Sequence, residues 1–175
     1  MIKRVIIPLL CVLMVVVIQQ IRNTSVESAP KDLAESQLYS VSAVIDGDTI
    51  TVSMDGKDER IRLLGIDTPE TDPTYNRIEC FGAEATTETK AKLLGKSVRI
   101  ETDPSQATRD KYNRLLAYVF LDGQNFNEYL VRNGFAKEYT YAGAYKYQKE
   151  FRKAAAIAKS SERGLWSPQN CPTQK

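Results

Sequence analysis

From Leu38 the apolar positions recur with period two. Val41, Ala43 and Ile45 alternate with smaller or polar residues, and Ile50 and Val52 resume the pattern after Asp46-Gly47. Such alternation marks a half-buried strand. Asp55-Gly56 is a second hairpin signal and residues 60–64 form a third strand, so the pattern predicts a curled three-stranded meander. The period then changes. Residues 81–94 read as a helix with Ala83, Ala91 and Leu94 on its apolar side and Gly95 closing it. Residues 97–102 and 115–121 read as two more strands, separated by a polar loop that contains Asp103-Pro104 and Asp110 to Arg114. Asn125, with Glu128 three residues later, starts a helix that Gly134 ends. A last helix over 146–160 buries Phe151, Ala154, Ala155 and Ala158, and Trp166 is expected to plug the helical layer. The fold class is therefore α+β: a five-stranded OB-fold β-barrel with three α-helices.

The N-terminus follows neither period. Lys3 and Arg4 precede an uninterrupted apolar run from Val5 to Ile18, which Gln19, Gln20 and Arg22 close. A positive flank before a short apolar stretch reads as a signal peptide or N-terminal signal anchor over residues 1–22. The run is shorter than the ~20 residues of a comfortable spanning helix, which favours a signal. A membrane tether through residues 5–21 is the other reading. Residues 23–37 form a polar linker, 38–170 the folded domain and 171–175 a C-terminal tail. The expected location is outside the cytoplasm, secreted or anchored at the outer face of the cytoplasmic membrane. Export makes the cysteines interpretable. Cys11 lies in the targeting segment, which leaves Cys80 and Cys171 in an oxidising compartment, joined as a disulfide or, alternatively, two free thiols.

Composition narrows the chemistry. The chain contains no histidine, which excludes imidazole acid–base work and His-ligated zinc. Asp46, Asp48, Asp67 and Glu70 supply hard oxygen donors of the kind calcium or magnesium takes. Arg62 and Arg114 match the oxygens of an anionic substrate such as a phosphate. Net charge is only +2, so contact with a nucleic acid must come from local clustering, not from the overall field. This inventory describes a metal-dependent phosphodiesterase.

Three runs carry a resemblance: Val44 to Thr49, Ile61 to Glu70, which reads Ile-Arg-Leu-Leu-Gly-Ile-Asp-Thr-Pro-Glu, and Asp110 to Tyr118. In motif order and spacing, from about Tyr39 to Trp166, they resemble the staphylococcal nuclease (thermonuclease) family. The resemblance implies a calcium-dependent nuclease acting on DNA and RNA with little sequence specificity and leaving 3′-phosphate ends; a monomer is expected. It implies that Asp48, Asp67 and the Thr68 carbonyl bind calcium, with Asp46 behind them. Glu70 would activate or order the attacking water, and Arg62 and Arg114 would hold the scissile phosphate. Lys111, Tyr112, Tyr139 and Tyr141 fall at the family's nucleotide contacts. Asn113 and Leu115 depart from the glycines that flank the second arginine in the family. Asn113 tolerates the left-handed conformation, whereas Leu115 is expected to crowd the pocket. The alternative is a non-catalytic module of the same fold that holds nucleic acid or a partner protein. A degraded copy would have lost Asp48, Glu70 or an arginine, and all are present.

Overall fold

Strands β1 (Leu38–Val44), β2 (Thr49–Met54) and β3 (Lys57–Leu63) form the expected antiparallel meander. This computed structural model describes residues 37–71 and 79–172. The proposed signal or anchor, and the linker up to residue 36, lie outside the described residues. The β2–β3 turn places Asp55 and Gly56 at φ 49° and 75°, the paired positive angles that a tight hairpin of this twist requires. The β1–β2 register shifts between Val41 and Ala43. A bulge there rotates the strand, so Ile45 does not continue the inward row. It lies beyond β1 and is 51% exposed, against the sequence expectation.

β5 (Ser97–Glu101) pairs with β1, and β6 (Leu115–Leu121) pairs antiparallel with β5. β6 also lies parallel to β3 through Ile61–Leu115, Arg62–Leu116 and Leu63–Ala117, which closes a five-stranded barrel. Its interior is the alternating apolar set: Val41, Ile50, Ile61, Val98, Ile100 and Val119 are all at most 1% exposed. Three very short strands were not anticipated. β4 (Ile66–Asp67) pairs with β8 (Lys137–Glu138), and β7 (Gln124–Asn125) extends β6. Two residues cannot display a period.

Helix α1 (Gly82–Leu93) departs from the expected face. Its buried residues are Gly82, Ala85, Thr89 and Leu93, while Ala83, Ala91 and Leu94 are exposed. Apolarity misleads here because two buried positions serve the backbone of the site. Gly82 gives room, and Thr89 Oγ1 donates to the Gly47 carbonyl at 2.7 Å. Helix α2 (Phe126–Arg132) begins as expected, with Asn125 Oδ1 accepting from the Glu128 N–H at 3.2 Å. Helix α3 (Gln148–Ser160) buries Phe151, Ala154 and Ala158, with Ala155 at the margin of the stripe. In the following 3₁₀ turn (Gly164–Trp166) the plug is Leu165, fully buried, and not Trp166. Trp166 stays half-buried with Lys159 Nζ 4.5 Å from its ring centre.

The turn is seated by two glycines. A Cβ on Gly134 would lie 2.2 Å from the Arg163 carbonyl oxygen, and one on Gly164 would lie 2.3 Å from that of Gly134. Only bare backbone fits this crossing. From it the chain reaches Cys171, which is joined to Cys80 by a disulfide across a sequence separation of 91 with Cα atoms 5.8 Å apart. The bridge therefore exists and staples the tail to the start of α1. Constraining so long a loop removes roughly 4–5 kcal/mol of unfolded-state entropy in the chain-entropy picture.

Candidate active site

The loop between β1 and β2 brings Asp48 into the interior side of the site, 5% exposed, and Asp46 accepts the Asp48 N–H at 3.0 Å to hold that turn. Asp48 Oδ2 accepts from both the N–H and the hydroxyl of Thr68, at 2.9 and 3.0 Å. Gly47 is packed against Thr68 so tightly that a Cβ would lie 2.9 Å from its side chain. Two segments distant in sequence, 46–48 and 67–68, are thus pinned together.

Arg62, on β3, bridges them. Its Nε lies 3.0 Å from Asp48 Oδ1 and its Nη2 donates to Asp67 Oδ1 at 2.9 Å. Nη1 donates to the Leu63 and Ile66 carbonyls at 2.7 and 2.9 Å, which fixes the plane of the guanidinium. Arg114 joins the same network from the other side. It donates from Nη1 to Thr49 Oγ1 at 3.2 Å, and Thr49 in turn donates to Asp48 Oδ1 at 3.2 Å. Thr49 belongs to the Val44 to Thr49 run but carries no role in the sequence reading, because a strand threonine looks structural.

Asp110 builds the Arg114 platform. Its carboxylate accepts the N–H groups of Tyr112 and Arg114 and the Arg114 Nε, at 2.9, 3.0 and 2.7 Å. Burial pushes the Asp110 carboxyl up, but these hydrogen bonds outweigh it and hold it below its ordinary value. Asn113 takes φ 64°, the left-handed conformation expected of it. Leu115 does not crowd the pocket. It is 5% exposed within the core, and Leu116 is the residue that faces the cavity.

That cavity has a volume of about 430 Å³ and is lined by Arg62, Asp67, Lys111, Tyr112, Arg114, Tyr139 and Tyr141, among others. Asp46, Asp48, Thr68 and Glu70 do not line it. Tyr112, Tyr139 and Tyr141 are 67%, 45% and 83% exposed, so they are not packing the barrel edge. Tyr139 and Tyr141 rings lie 6.3 Å apart, and Lys111 Nζ sits 4.9 Å from the Tyr112 ring centre. Tyr145 forms part of the wall and was missed; its hydroxyl bonds to Glu138 at 2.9 Å. Glu70 is exposed and directly follows buried Thr68 and Pro69.

Burial sets the electrostatics of the acidic cluster. Burial, then the charge of Asp48, pushes the Asp46 carboxyl up to about 6. Asp67 is also raised, chiefly by burial, with Arg62 opposing and Asp48 and Glu79 reinforcing. The donors are all hard oxygens, and among the described residues no three His, Cys, Asp or Glu side chains converge as a metal cage. Asp48 and Asp67 are donors of the type that calcium or magnesium takes, and both are engaged here by Arg62.

The Asp46 shift has a measurable sign. A carboxyl raised in the fold from 3.8 to about 6 stabilises the protein below pH 4, and that contribution is lost as pH rises through 6. In chelator, Asp46→Asn keeps the acceptor and removes the charge. It is expected to exceed the parent in stability above pH 6, by at most about 3 kcal/mol, and to converge with it below pH 4. Urea midpoints across pH 4–8 check this; a parent more stable than the variant at pH 7 would contradict it.

A closed five-stranded barrel with three helices, and a carboxylate–arginine network at the ends of β1 to β3, define an OB-fold protein of the staphylococcal nuclease type. The family profile described as "Staphylococcal nuclease homologue" matches residues 60–168. The chain is 40% identical to the thermonuclease of Staphylococcus hyicus over 141 residues, covering 81% of this chain and 82% of that one. It is 40% identical to the thermonuclease of Staphylococcus intermedius over 128 residues, 73% and 75% of the two chains. Endonuclease YncB of Bacillus subtilis is 37% identical over 132 residues, 75% of this chain and 62% of that one. The chain belongs to the staphylococcal nuclease family.

Proposed function

We propose that this protein is an exported, calcium-dependent nuclease that hydrolyses phosphodiester bonds of DNA and RNA with little sequence specificity. One observation carries the reading: Arg62 and Arg114 meet through Thr49 and Asp48 beside a cavity walled by exposed tyrosines. The names of the relatives, thermonuclease and endonuclease, agree with it.

Asp48, Asp67 and the Thr68 carbonyl would hold the ion, with Asp46 fixing the Asp48 turn. Calcium, when bound, supplies positive charge against the phosphate oxygens and the incoming hydroxyl. The guanidiniums of Arg62 and Arg114 pair with the charge that grows on those oxygens as the phosphorus becomes five-coordinate. Glu70 orders the attacking water and receives its proton on a carboxylate oxygen, since no imidazole exists in the chain to do so. Tyr112, Tyr139 and Tyr141 stack on bases without reading them, which suits sequence tolerance. Lys111 attracts the backbone. By family likeness the products carry 3′-phosphates.

Export rests on the N-terminal pattern and is supported by the Cys80–Cys171 bridge, which persists in oxidising compartments. Among the described residues no helix is long and apolar enough to cross a membrane. Digestion of plasmid and RNA by the purified domain with calcium, with magnesium and with chelator tests the reading. Cleavage is expected with calcium and abolished by chelator. Full activity in chelator removes the metal, and binding without cleavage under every condition would establish the non-catalytic module instead.

A further inference from the structure

We infer that the Cys80–Cys171 bridge is a positioning device for Glu70, acting through Glu79 and Gly82 at the start of α1. The inference rests on the role proposed above for Glu70.

The connection is short and made of backbone. Glu79, next to Cys80, donates its N–H to the Glu70 carbonyl at 2.9 Å. The Glu70 N–H points back at Glu79 Oε2 at 3.4 Å, so the two residues face each other as a reciprocal pair. Gly82 donates its N–H to the Glu79 carbonyl at 3.2 Å and lies directly under the Pro69–Glu70 backbone. A Cβ on Gly82 would come 2.7 Å from the Pro69 oxygen and 2.8 Å from the Glu70 oxygen. The Glu70 backbone is therefore seated on the first turn of α1, and any displacement of that turn is passed to it.

Backbone hydrogen bonds and buried Ala85 hold the first turn among the described residues. Phe81, which precedes α1, takes φ 73° and supplies no side-chain cap. Its ring stacks on Phe135 at 5.6 Å. The bridge supplies a covalent anchor. Cys171 is 1% exposed and follows the Gly134–Gly164 crossing, where Leu165 donates its N–H to Gly134 at 2.9 Å. The covalent link thus ties the Glu70 seat to the α2–α3 layer. Asp48 and Asp67 have additional anchors, Thr68 and Arg62. Loosening the bridge should consequently disturb the water-activating carboxylate and spare the ion and the arginines. Ångström misplacement of a reacting group costs up to about a hundredfold in rate.

The test is a double-mutant cycle on the folded domain, well below its melting temperature, with calcium. Cys80→Ser/Cys171→Ser should lower kcat by about tenfold or more with KM and calcium affinity unchanged. Gly82→Ala, which keeps the bridge, should also lower kcat by about tenfold or more. In a Glu70→Gln background neither change should lower kcat further, because the group they position is already lost. A full additional loss in that background overturns the inference, as does an unchanged kcat in both variants with wild-type Glu70. Should Glu70→Gln itself cleave at the parent rate, the role of Glu70 falls first, and the cycle shows this separately. If the serine variant does not fold, kcat of the parent and of Glu70→Gln with the Cys80–Cys171 bridge intact and after its chemical reduction reads the same difference.

Discussion

Replacing Arg62 by alanine is expected to lower turnover by roughly 10²–10³, the usual loss when one donor to transition-state charge is removed. It should also destabilise the fold, because Arg62 is the guanidinium against Asp48, whose side chain is only 7% exposed. Stranding a buried charge in this way costs on the order of 3–5 kcal/mol, reduced here by the partial exposure of the network. Arg114→Ala should lose turnover to a similar degree with a smaller stability penalty. Its partner Asp110 keeps two backbone N–H donors without it, and Thr49 remains bonded to Asp48. Single-turnover digestion and urea midpoints read the two effects separately. An Arg62 variant that turns over normally and changes only apparent affinity is a docking contact, and its assigned role is wrong.

Glu70→Gln and Asp67→Ala separate two carboxylates three residues apart in sequence. Glutamine keeps the size of Glu70 but cannot accept a proton, so cleavage should slow by ~10²-fold or more with calcium affinity nearly intact. Asp67→Ala removes a ligand and its charge, and calcium binding should weaken. It also frees Arg62 Nη2, now spent on Asp67 at 2.9 Å. Calorimetric titration of calcium with a non-cleavable nucleotide reads the second variant, and single-turnover kinetics the first. The assignment would be falsified if Glu70→Gln cleaved at the parent rate, or if Asp67→Ala bound calcium as the parent does.

The barrel strands were legible because a closed sheet has one apolar face and imposes period two on the chain. Caps and turns were legible for a local reason. Asn125 and Asp55-Gly56 act within a few residues of themselves. What escaped was set by distant backbone. The face of α1 is decided by Gly82 beneath Glu70 and Thr89 beneath Gly47, neither apolar enough to register. Ile45 was misplaced because a bulge in β1 breaks the period without leaving a glycine or proline as a mark. Leu115 and Leu116 are adjacent and alike, so only the β3–β6 register could say which faces the cavity. The site residues were named by motif. Their mutual arrangement was not, because Thr49 matters through Arg114, 65 residues away, which only the fold brings near.

The parallel pairing of β3 with β6 has a consequence for how the chain acquires its fold. No local turn can form it, since helix α1 and strand β5 intervene, and the entropy of closing that long loop precedes any reward from the contact. Until β6 arrives, β1 to β3 form an open sheet with an unprotected edge of the kind that recruits other chains. Closure at Ile61–Leu115 is therefore expected to limit the refolding rate. A chain truncated just before Leu115 should aggregate in light scattering at concentrations where the whole domain stays dispersed. If that fragment remained monomeric, the meander would be protected by something other than its last strand.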